Sequence, residues 1–484
     1  MNGAESLLRT LLAGGIDVCF TTPAAAGSDF AAAFDRLPGI RLVPGLDEGI
    51  ATGAANGYAR MAEGPGVALL SLGPGLASGA ANLGDAACAH LPIVNLIRET
   101  ARDANGRDRA AALESEEMLR AHSGWLHVSA SAGELGRQTA DALLAARTAP
   151  GGVATLIVPT DAAAGSGGRA AAVFNPPRPP MPDSALISRI ACLLRSEASA
   201  AILLGGTASC GDGLMIAGRI AAATGAALVV PCGVRRLRRG AGLSSVECLP
   251  AAASAASRYL GQFSQLVLAG AHAPRICPHD PPVGEAPCRR VITLAGPEED
   301  AVGALEALAV ALSAHATPPR AEAMRRPPCV SGPITVSGVA AVVGSLLPEH
   351  AVVADDSPAA GREIFAECRG APPHDWMAGT SGPIGLGLPL AIGAAIACPE
   401  RKVLCLSAGA AGTGAMQALW TMAREGRCVT VLVFAGGKRV EPDRLMLARE
   451  HGVPGRRVDA LEDLAEALRG GFASGGPSLI EVPL

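Results

Sequence analysis

The sequence predicts an α/β protein with three consecutive doubly wound domains, each built on a parallel sheet. Its 484 residues are enough for two or three domains with well-buried cores. Short apolar runs alternate with helical patterns along the whole chain, which is the order expected of parallel strands covered by helices on both faces. Two stretches rich in Pro, Gly and Arg, Ala163–Ser184 and Ala314–Pro333, lack apolar periodicity and are typical of linkers.

These linkers divide the chain into three blocks, residues 1–162, 185–313 and 334–484, each of ordinary domain size. Every block carries four predicted strands. The first block has Asp17–Phe20, Val67–Leu72, Ile93–Ile97 and Thr155–Val158. The central block has Ala201–Leu204, Ala227–Val230, Gln265–Leu268 and Arg290–Leu294, and the third block has Ala351–Ala354, Val403–Leu406, Val429–Phe434 and Ser478–Val482.

Composition narrows the class of ligand. A hydrophobic fraction of 49% and a charged fraction of 17% indicate a compact globular chain. The net charge of −4 gives no electrostatic reason to expect nucleic acid or an anionic membrane, so a small-molecule substrate is expected. The 13 cysteines form no C-x-x-C pair and the histidines do not cluster, which argues against a zinc site or a disulfide framework. Reduced thiols of this kind indicate a cytoplasmic protein.

Two apolar segments do not predict membrane insertion. The N-terminal MNGAESLLRTLLAGG has a helical apolar period and an acidic residue, Glu5, instead of the basic and apolar regions of a signal peptide. Residues 377–399 are uncharged and long enough to span a bilayer, but glycines and prolines interrupt them between 382 and 389. This pattern favours a loop that leads into a buried helix.

A glycine-rich turn in the third block is the first candidate site. The segment Cys405–Trp420, CLSAGAAGTGAMQALW, follows a predicted strand and leads into a predicted helix. Turns of this kind hold phosphates, because free N–H groups and the positive end of the helix dipole converge there. This turn has no carboxylate, Lys or Asn. The sequence leaves open whether it is a working phosphate site or the remnant of one.

The motifs around these segments resemble the thiamine-diphosphate (ThDP) enzymes. The stretch GLDEGIATGAANGYAR (Gly45–Arg60) and the following GPGVALLSLGPGLASGAANLGDAACAHLPIV resemble the pyrimidine-binding domain. The segment Thr380–Gly437 resembles the diphosphate-binding domain, and its ALWTMAREG is closest to the acetolactate synthase and benzoylformate decarboxylase branch. AILLGGTASCGDG fits the middle domain of that branch. The resemblance covers essentially the whole chain and implies the order pyrimidine-binding, central and diphosphate-binding.

The resemblance implies ThDP as the cofactor. It places Glu48 on the family's catalytic glutamate, which hydrogen-bonds the aminopyrimidine ring and so promotes formation of the nucleophilic ylid. The structural alternative for Glu48 is a solvated acid that caps a helix. The positions that correspond to the family's cofactor-facing backbone are Gly73, Pro74, Gly75, Gly382, Gly385, Ala408, Gly409, Ala410 and Gly436.

The chain departs from the family at the metal site. The family holds Mg²⁺ with the Asp of a G-D-G turn and an Asn of an N-N pair, and these positions are Gly409 and Gly436 here. A hard cation needs oxygen donors, so Mg²⁺ held by the usual ligands is not expected. Only six residues, GKRVEP, separate Gly436 from Asp443. The segment that folds over the cofactor in the family is therefore missing.

Further candidates occupy positions where the family has polar active-site groups. Ser71 stands at the position of an active-site histidine of benzoylformate decarboxylase, and Cys277 at that of a second one. Asp356, with its neighbour Asp355, follows a strand where the family contacts the diphosphate, and either caps a helix or forms a rearranged polar site. Lys438 is either a partial substitute for Mg²⁺ in neutralising phosphate or part of a solvated turn.

Three residues are candidates for acid–base work near the predicted cleft. They are His90, His374 and Asp375. Histidine titrates close to neutral pH, although a single histidine is more often structural than catalytic. No G-x-S-x-G, Walker or HExxH motif indicates a competing class of enzyme.

Three functional hypotheses follow. The first is a divergent enzyme that acts on a 2-oxo acid by decarboxylation or carboligation. The second is a partner subunit that contributes Glu48 to an intact homologue, and the third is a ThDP-independent homologue with changed chemistry or a binding role. ThDP enzymes of this type build each active site between two subunits. The resemblance therefore implies a homodimer or homotetramer, or a hetero-oligomer with a homologue.

Overall fold

The fold is described from a computed structural model of the chain. The structure describes residues 1–62, 64–73, 75–99, 107–196, 199–274, 290–382, 385–409, 413–436 and 443–484, with side chains from residue 115 onward in the fourth range. Three parallel sheets with helices on their faces confirm the predicted fold class.

The first block contains a six-stranded parallel sheet. Its strands are Val18–Thr21 (β1), Arg41–Pro44 (β2), Gly66–Ser71 (β3), Ile93–Glu99 (β4), Trp125–Val128 (β5) and Val153–Pro159 (β6). Its helices are Gly3–Ala13 (α1), Gly27–Arg36 (α2), Glu48–Met61 (α3), Leu76–Cys88 (α4), Arg107–His122 (α5), Ala132–Arg147 (α6) and Thr160–Ala164 (α7). The strand order β2-β1-β3-β4-β6-β5 reverses direction between β1 and β3. Open α/β sheets bind ligands outside the carboxyl ends of the strands at such a switch point.

The central block contains a five-stranded parallel sheet of order β10-β8-β7-β11-β12. Its strands are Ala200–Leu204 (β7), Ala227–Val230 (β8), Glu247–Cys248 (β10), Gln265–Ala269 (β11) and Arg290–Ala295 (β12), and its helices are Ser184–Ser196 (α8), Gly211–Thr224 (α9), Ala253–Leu260 (α10) and Ala301–Ala311 (α11). One further strand, Leu237–Arg239 (β9), leaves this block and joins the next sheet.

The third block contains a seven-stranded sheet of order β17-β18-β16-β15-β13-β14-β9, in which only β9 is antiparallel among the described strands. Its own strands are Val352–Asp356 (β13), His374–Ala378 (β14), Val403–Ala408 (β15), Val429–Ala435 (β16), Gly455–Arg457 (β17) and Ser478–Pro483 (β18). Its helices are Val336–Leu346 (α12), Ala360–Glu367 (α13), Gly387–Ala397 (α14), Thr413–Met416 (α15), Ala418–Arg424 (α16), Arg444–Glu450 (α17) and Leu461–Ala473 (α18). The switch point of this sheet lies between β13 and β15.

The third block shares a hydrophobic core with each of the other two. One core cluster joins Ile50 and Leu70 of the first block to Ile392 of α14, and all three side chains are buried. Another joins Ile202 of the central block to Val353 of β13. Burial of this apolar surface holds the first and third blocks together, so the carboxyl edges of their sheets keep fixed relative positions. Among the described helices, none has both the length and the apolarity that crossing a bilayer requires.

Candidate active site

Glu48 lies at the start of α3, and its carboxylate faces a glycine turn. The helix is capped by the preceding residue, because the Asp47 Oδ1 atom accepts a hydrogen bond of 2.9 Å from the Ile50 N–H. Glu48 is therefore not the capping acid. A Cβ atom built on Gly75 would lie 2.9 Å from Glu48 Oε2, so the half-buried carboxylate packs directly on that glycine. Only a residue without a side chain permits this approach.

The Ser78 hydroxyl ties the glycine turn to the helix that carries Glu48. Its Oγ donates to the Gly75 carbonyl oxygen at 2.9 Å and accepts from the Gly49 N–H at 3.1 Å. Gly73 lies two residues before Gly75 and two residues after Ser71, the last residue of β3. The predicted residue Pro74 lies outside the described residues. Glu48 and the turn thus form a fixed pair at the carboxyl edge of the first sheet.

Ser71 and Arg98 complete this edge. Ser71 is the last residue of β3 and pairs in register with Arg98 of β4. Sequence reasoning did not single out Arg98. Its guanidinium lies against Gly27, where an added Cβ atom would meet Cζ at 2.4 Å, and Gly27 has a φ of +47° at the start of α2. The Arg98 side chain therefore reaches from β4 over the end of β3 to the loop that follows β1.

Asp356 lies at the switch point of the third sheet and binds the turn before α14. Its Oδ2 atom accepts hydrogen bonds from the Gly385 N–H at 2.8 Å and the Gly387 N–H at 3.3 Å. Gly382 and Gly385 of this turn have φ values of +74° and +92°, which glycine adopts without strain. Asp356 therefore binds backbone N–H groups before and at the first residue of α14, and does not cap α13, the helix that follows it in sequence.

Burial changes the acidity of this pair of acids. The pKa of the Asp355 carboxyl is raised from 3.8 to about 7, mainly by desolvation. The hydrogen bond from the Ser357 N–H opposes this shift, and the negative charge of Asp356 adds to it. Desolvation also raises the pKa of Asp356 from 3.8 to about 6, partly offset by the two N–H donors of the turn. The pair therefore titrates near neutral pH at the predicted diphosphate edge.

The two glycines that the family resemblance puts at the metal-ligand positions are enclosed by other parts of the chain. A Cβ atom on Gly409 would lie 2.3 Å from the Phe434 carbonyl oxygen, and the buried Arg444 donates from Nη2 to the Gly409 carbonyl at 2.7 Å. A Cβ atom on Gly436 would lie 2.1 Å from the Leu484 carbonyl oxygen. Backbone atoms and one guanidinium thus occupy the space that carboxylate and amide ligands would need.

Of four further predicted residues, the structure describes Ala408 but not the three others. Ala408 ends β15 and pairs in register with Phe434 of β16. Ala410, Lys438 and Cys277 lie outside the described residues. Within the described part of the chain, no group of three or more His, Cys, Asp or Glu residues is placed to hold a metal ion.

His374 is not part of the cleft, which corrects the prediction. It begins β14, and the next residue pairs with Val352 at the amino end of β13, so His374 lies at the edge of the sheet opposite Asp356. Its side chain is buried, with Nδ1 2.8 Å from the Pro372 carbonyl oxygen, and burial lowers its pKa to about 4. Asp375 is also structural there, since it pairs with Arg236 and Arg401.

His90 faces a separate cavity between the first and central blocks. This cavity has a volume of about 610 Å³ and is lined by Gly205, Gly270 and His272 at the carboxyl edge of the central sheet. The rings of His90 and His272 are 5.9 Å apart, and burial lowers the pKa of His90. His90 therefore lies apart from Glu48 and its glycine turn.

A buried ion pair joins all three blocks. Arg60 Nη2 and Asp85 Oδ2 are 2.7 Å apart, and both side chains are fully buried. Arg60 Nη1 also donates to the carbonyl oxygens of Arg235 and Ala378, at 2.9 and 2.7 Å. Asp85 Oδ1 accepts from the Thr380 N–H at 2.5 Å. The pair thereby holds the start of the loop that leads to Gly382.

Comparisons with known proteins match both the first and the third block to known families. Residues 1–118 match the family description "Thiamine pyrophosphate enzyme, N-terminal TPP binding domain", and residues 363–438 match "Thiamine pyrophosphate enzyme, C-terminal TPP binding domain". A Mycobacterium tuberculosis protein provisionally named acetolactate synthase large subunit IlvX is 37% identical over 512 residues, covering 100% of this chain and 99% of that protein. The chain belongs to the thiamine-diphosphate-dependent enzyme family.

Two further similarities cover almost the whole chain. The benzoylformate decarboxylase of Pseudomonas aeruginosa is 26% identical over 498 residues, with 92% of each chain covered. The structure of a Rhodococcus jostii RHA1 ThDP-dependent 4-hydroxybenzoylformate decarboxylase aligns with a TM-score of 0.84 at 19% identity, covering 100% of this chain and 99% of that one. At that identity the structural likeness concerns the fold.

The two half-sites differ in how well they fit a ThDP enzyme's requirements. At the first sheet, the Glu48 carboxylate beside Gly75 is a fitting acceptor for a cofactor's ring nitrogen. At the third sheet, the residues present do not fit a Mg²⁺ ion at the family position, because the two ligand positions are glycines enclosed by backbone.

Proposed function

We propose that the chain is a divergent ThDP-dependent enzyme that acts on a 2-oxo acid by decarboxylation or carboligation. The observation that carries this proposal is the Glu48 carboxylate, held against Gly75 at the carboxyl edge of the first sheet. ThDP, when bound, supplies the nucleophile and the electron sink for breaking or forming the bond next to a carbonyl group. Glu48 would hold a proton at its carboxylate and orient the cofactor's pyrimidine ring.

We infer that Mg²⁺ is not held in the usual way by this chain. Gly409 and Gly436 offer no side-chain oxygen, and the backbone of Phe434 and Leu484 closes the space around them. Asp356 is engaged with two N–H groups of the turn before α14. A diphosphate at this edge would therefore need counter-charges other than the family's metal.

Calorimetry with ThDP tests both statements. The purified protein is titrated with ThDP in the presence of Mg²⁺ and again with the metal chelated, and turnover of pyruvate and benzoylformate is followed. We expect saturable ThDP binding whose affinity changes little on chelation. Glu48→Gln should keep binding and lower turnover by about 100-fold or more, as expected for loss of a group that handles a proton.

The matched control is Glu306→Gln, which changes an exposed glutamate on α11 of the central block. It should behave like the unaltered protein in both measurements. Absence of ThDP binding at any concentration, alone or with a homologue, would contradict the proposal and leave a ThDP-independent homologue as the remaining hypothesis.

A second candidate function is that of a partner subunit. It is favoured by the contrast between the fitting Glu48 half-site and the closed glycine positions of the third block. Such a subunit would lend Glu48 to an intact homologue across a subunit interface. Co-expression with an intact family member distinguishes the two, because ThDP binding and Glu48-dependent turnover would then occur only in the mixed oligomer and not in a homodimer or homotetramer.

A further inference from the structure

We propose that Arg98, with the backbone at Gly27, forms a binding site for the carboxylate group of the substrate. The site lies at the switch point of the first sheet, on the same edge as Glu48. Its role in selecting a substrate rests on the proposed function, whereas its affinity for a carboxylate does not.

The position of Arg98 is the first support. It is in register with Ser71, and its carbonyl oxygen accepts the Leu72 N–H at 2.8 Å, so its Cα atom lies at the end of the strand next to the switch point. From there the guanidinium reaches Gly27, on the far side of β3. The cation therefore lies across the crevice between β1 and β3, where ligands of open α/β sheets bind.

The second support is a donor of this cation that lacks an acceptor. The Nε atom of Arg98 is buried and makes no hydrogen bond to any residue that the structure describes. A buried donor of a charged group without a partner is destabilising, so such a group in a native structure has a specific cause, of which a bound ligand is one. An anion bound in the crevice would satisfy the Nε donor.

The third support is the neighbouring helix terminus. Helix α2 begins at Gly27, and Ala26 before it provides no side-chain cap for the first N–H groups. The positive end of the helix and the guanidinium thus converge on the same space, an arrangement that favours a bound anion. The φ of +47° at Gly27 favours glycine, and the Arg98 guanidinium packs where a Cβ atom would otherwise lie.

A second polar atom without a partner lies at the same edge. Thr22 follows β1 directly and is 3% exposed, and its Oγ1 atom makes no hydrogen bond within the described part of the chain. In the sheet, Thr21 pairs with Leu69 of β3, so Thr22 lies across the switch point from the end of β3. A hydroxyl and a guanidinium are the donors with which proteins bind carboxylates.

The carboxylate is the favoured class of anion. A guanidinium matches the two oxygens of one carboxylate with parallel N–H donors, and the three atoms nearest to a Cβ atom on Gly27 all belong to the Arg98 guanidinium, whose single positive charge balances that of one carboxylate. The proposed substrates, 2-oxo acids, carry one carboxylate beside the reacting carbonyl. Binding that group at Arg98 would orient the carbonyl on the edge that Glu48 occupies.

Titration of the full-length protein without ThDP tests the site. The ligands are pyruvate, benzoylformate, the uncharged methyl ester of benzoylformate and inorganic phosphate, and binding is followed by calorimetry. We expect saturable binding of at least one 2-oxo acid. The ester should bind at least about 10-fold more weakly because it lacks the anionic oxygens, and phosphate at least about 10-fold more weakly because one guanidinium neutralises only part of its charge. Arg98→Met should weaken carboxylate binding by about 10- to 100-fold, and Arg98→Lys by less.

The control is Arg137→Met, which removes an exposed arginine of α6 in the same block and should leave binding unchanged. Equal binding of acid and ester, tighter binding of phosphate, unchanged binding by Arg98→Met, or no saturable binding of either 2-oxo acid would each overturn the proposal. The acid–ester comparison needs no variant, so it stands even if Arg98→Met fails to fold. Because ThDP is absent, failure here is distinguishable from failure of the proposed enzyme function.

Discussion

At the scale of single residues, metal binding by the third block depends on Gly409 and Gly436, the two glycines that the family resemblance puts at the metal-ligand positions. We expect Gly409→Asp combined with Gly436→Asn not to create Mg²⁺-dependent ThDP binding. Each new Cβ atom would lie within 2.3 Å of a backbone oxygen, so the strands must move before a side chain can point at a ligand. Calorimetry with ThDP and Mg²⁺ measures the binding.

The same variant should be less stable than the unaltered protein by about 2–4 kcal/mol, the usual cost of overpacking at more than one site. Gly414→Asp is the control, because a Cβ atom on Gly414 has no neighbour within 4 Å. A double variant that unfolds at the same denaturant concentration as the control and binds Mg²⁺–ThDP would show that the lost ligands alone explain the departure from the family.

The acids at the third sheet make stability depend on pH. Since burial raises the pKa of Asp355 to about 7, its ionised form is disfavoured in the folded state. The stability contributed by protonated Asp355 is complete below its unfolded pKa of about 4 and is lost as the pH rises through its folded pKa of about 7. Asp355→Asn should therefore raise the free energy of unfolding at pH 8 by on the order of 2 kcal/mol and flatten its decline from pH 5 to 8.

Urea unfolding at several pH values measures this effect. The control is Asp459→Asn, which alters a highly exposed aspartate and should leave the pH profile unchanged. A profile for Asp355→Asn that falls as steeply as that of the unaltered protein would show that Asp355 is not the titrating group.

At the scale of elements, the sequence predicted the central strands and missed the short ones. All twelve predicted strands are present, with ends displaced by at most two residues, because buried parallel strands are continuous apolar runs. Arg41–Pro44 and Gly455–Arg457 were missed, since edge strands are short and polar. His374–Ala378 was missed because its polar start and preceding prolines are typical of a loop.

The candidate site was predictable where the residues carry a motif. Glu48 and the glycine turn follow from the GLDEGIATGAANGYAR and GPG stretches, and the structure places them in contact. Arg98 has no such signal, because its importance depends on Gly27, which is distant in sequence. Asp85 is likewise a single acid in a small-residue helix, and only its contacts with Arg60 and Thr380 identify it.

Helices α3 and α14 cross with their backbones in close contact. A Cβ atom on Gly57 would lie 2.2 Å from the Leu390 carbonyl oxygen, so Gly57→Ala must separate the two helices. We expect a loss of about 2–4 kcal/mol in the free energy of unfolding. Gly470→Ala on α18 is the control, because its Cβ atom would meet nothing within 4 Å and should be neutral or stabilising. Equal stabilities of the two variants would contradict so close a crossing of α3 and α14.

At the scale of the whole molecule, the buried pair of Arg60 and Asp85 couples the three blocks. Asp85 holds the Thr380 and Ser381 N–H groups at 2.5 and 2.9 Å, while Arg60 binds backbone of the central and third blocks. Removing one member leaves the other charge buried and unpaired, so Asp85→Ala should lower the free energy of unfolding by about 3–5 kcal/mol.

A second prediction for the pair of Arg60 and Asp85 concerns ThDP binding. Because the loop from Thr380 leads to Gly382 and Gly385, Asp85→Ala should also weaken ThDP binding in conditions where the variant is still folded. Asp141→Ala breaks an exposed pair with Arg137 on α6 and should change stability by less than about 1 kcal/mol and leave ThDP binding intact. Replacing Arg60 by Met and Asp85 by Leu together separates the effect on stability from the effect on ThDP binding. This double variant has no unpaired buried charge, but the loop still lacks the Asp85 carboxylate as its hydrogen-bond acceptor. Restored stability with ThDP binding still weakened would assign the Asp85 carboxylate to positioning that loop, whereas recovery of both would limit the pair to a structural role.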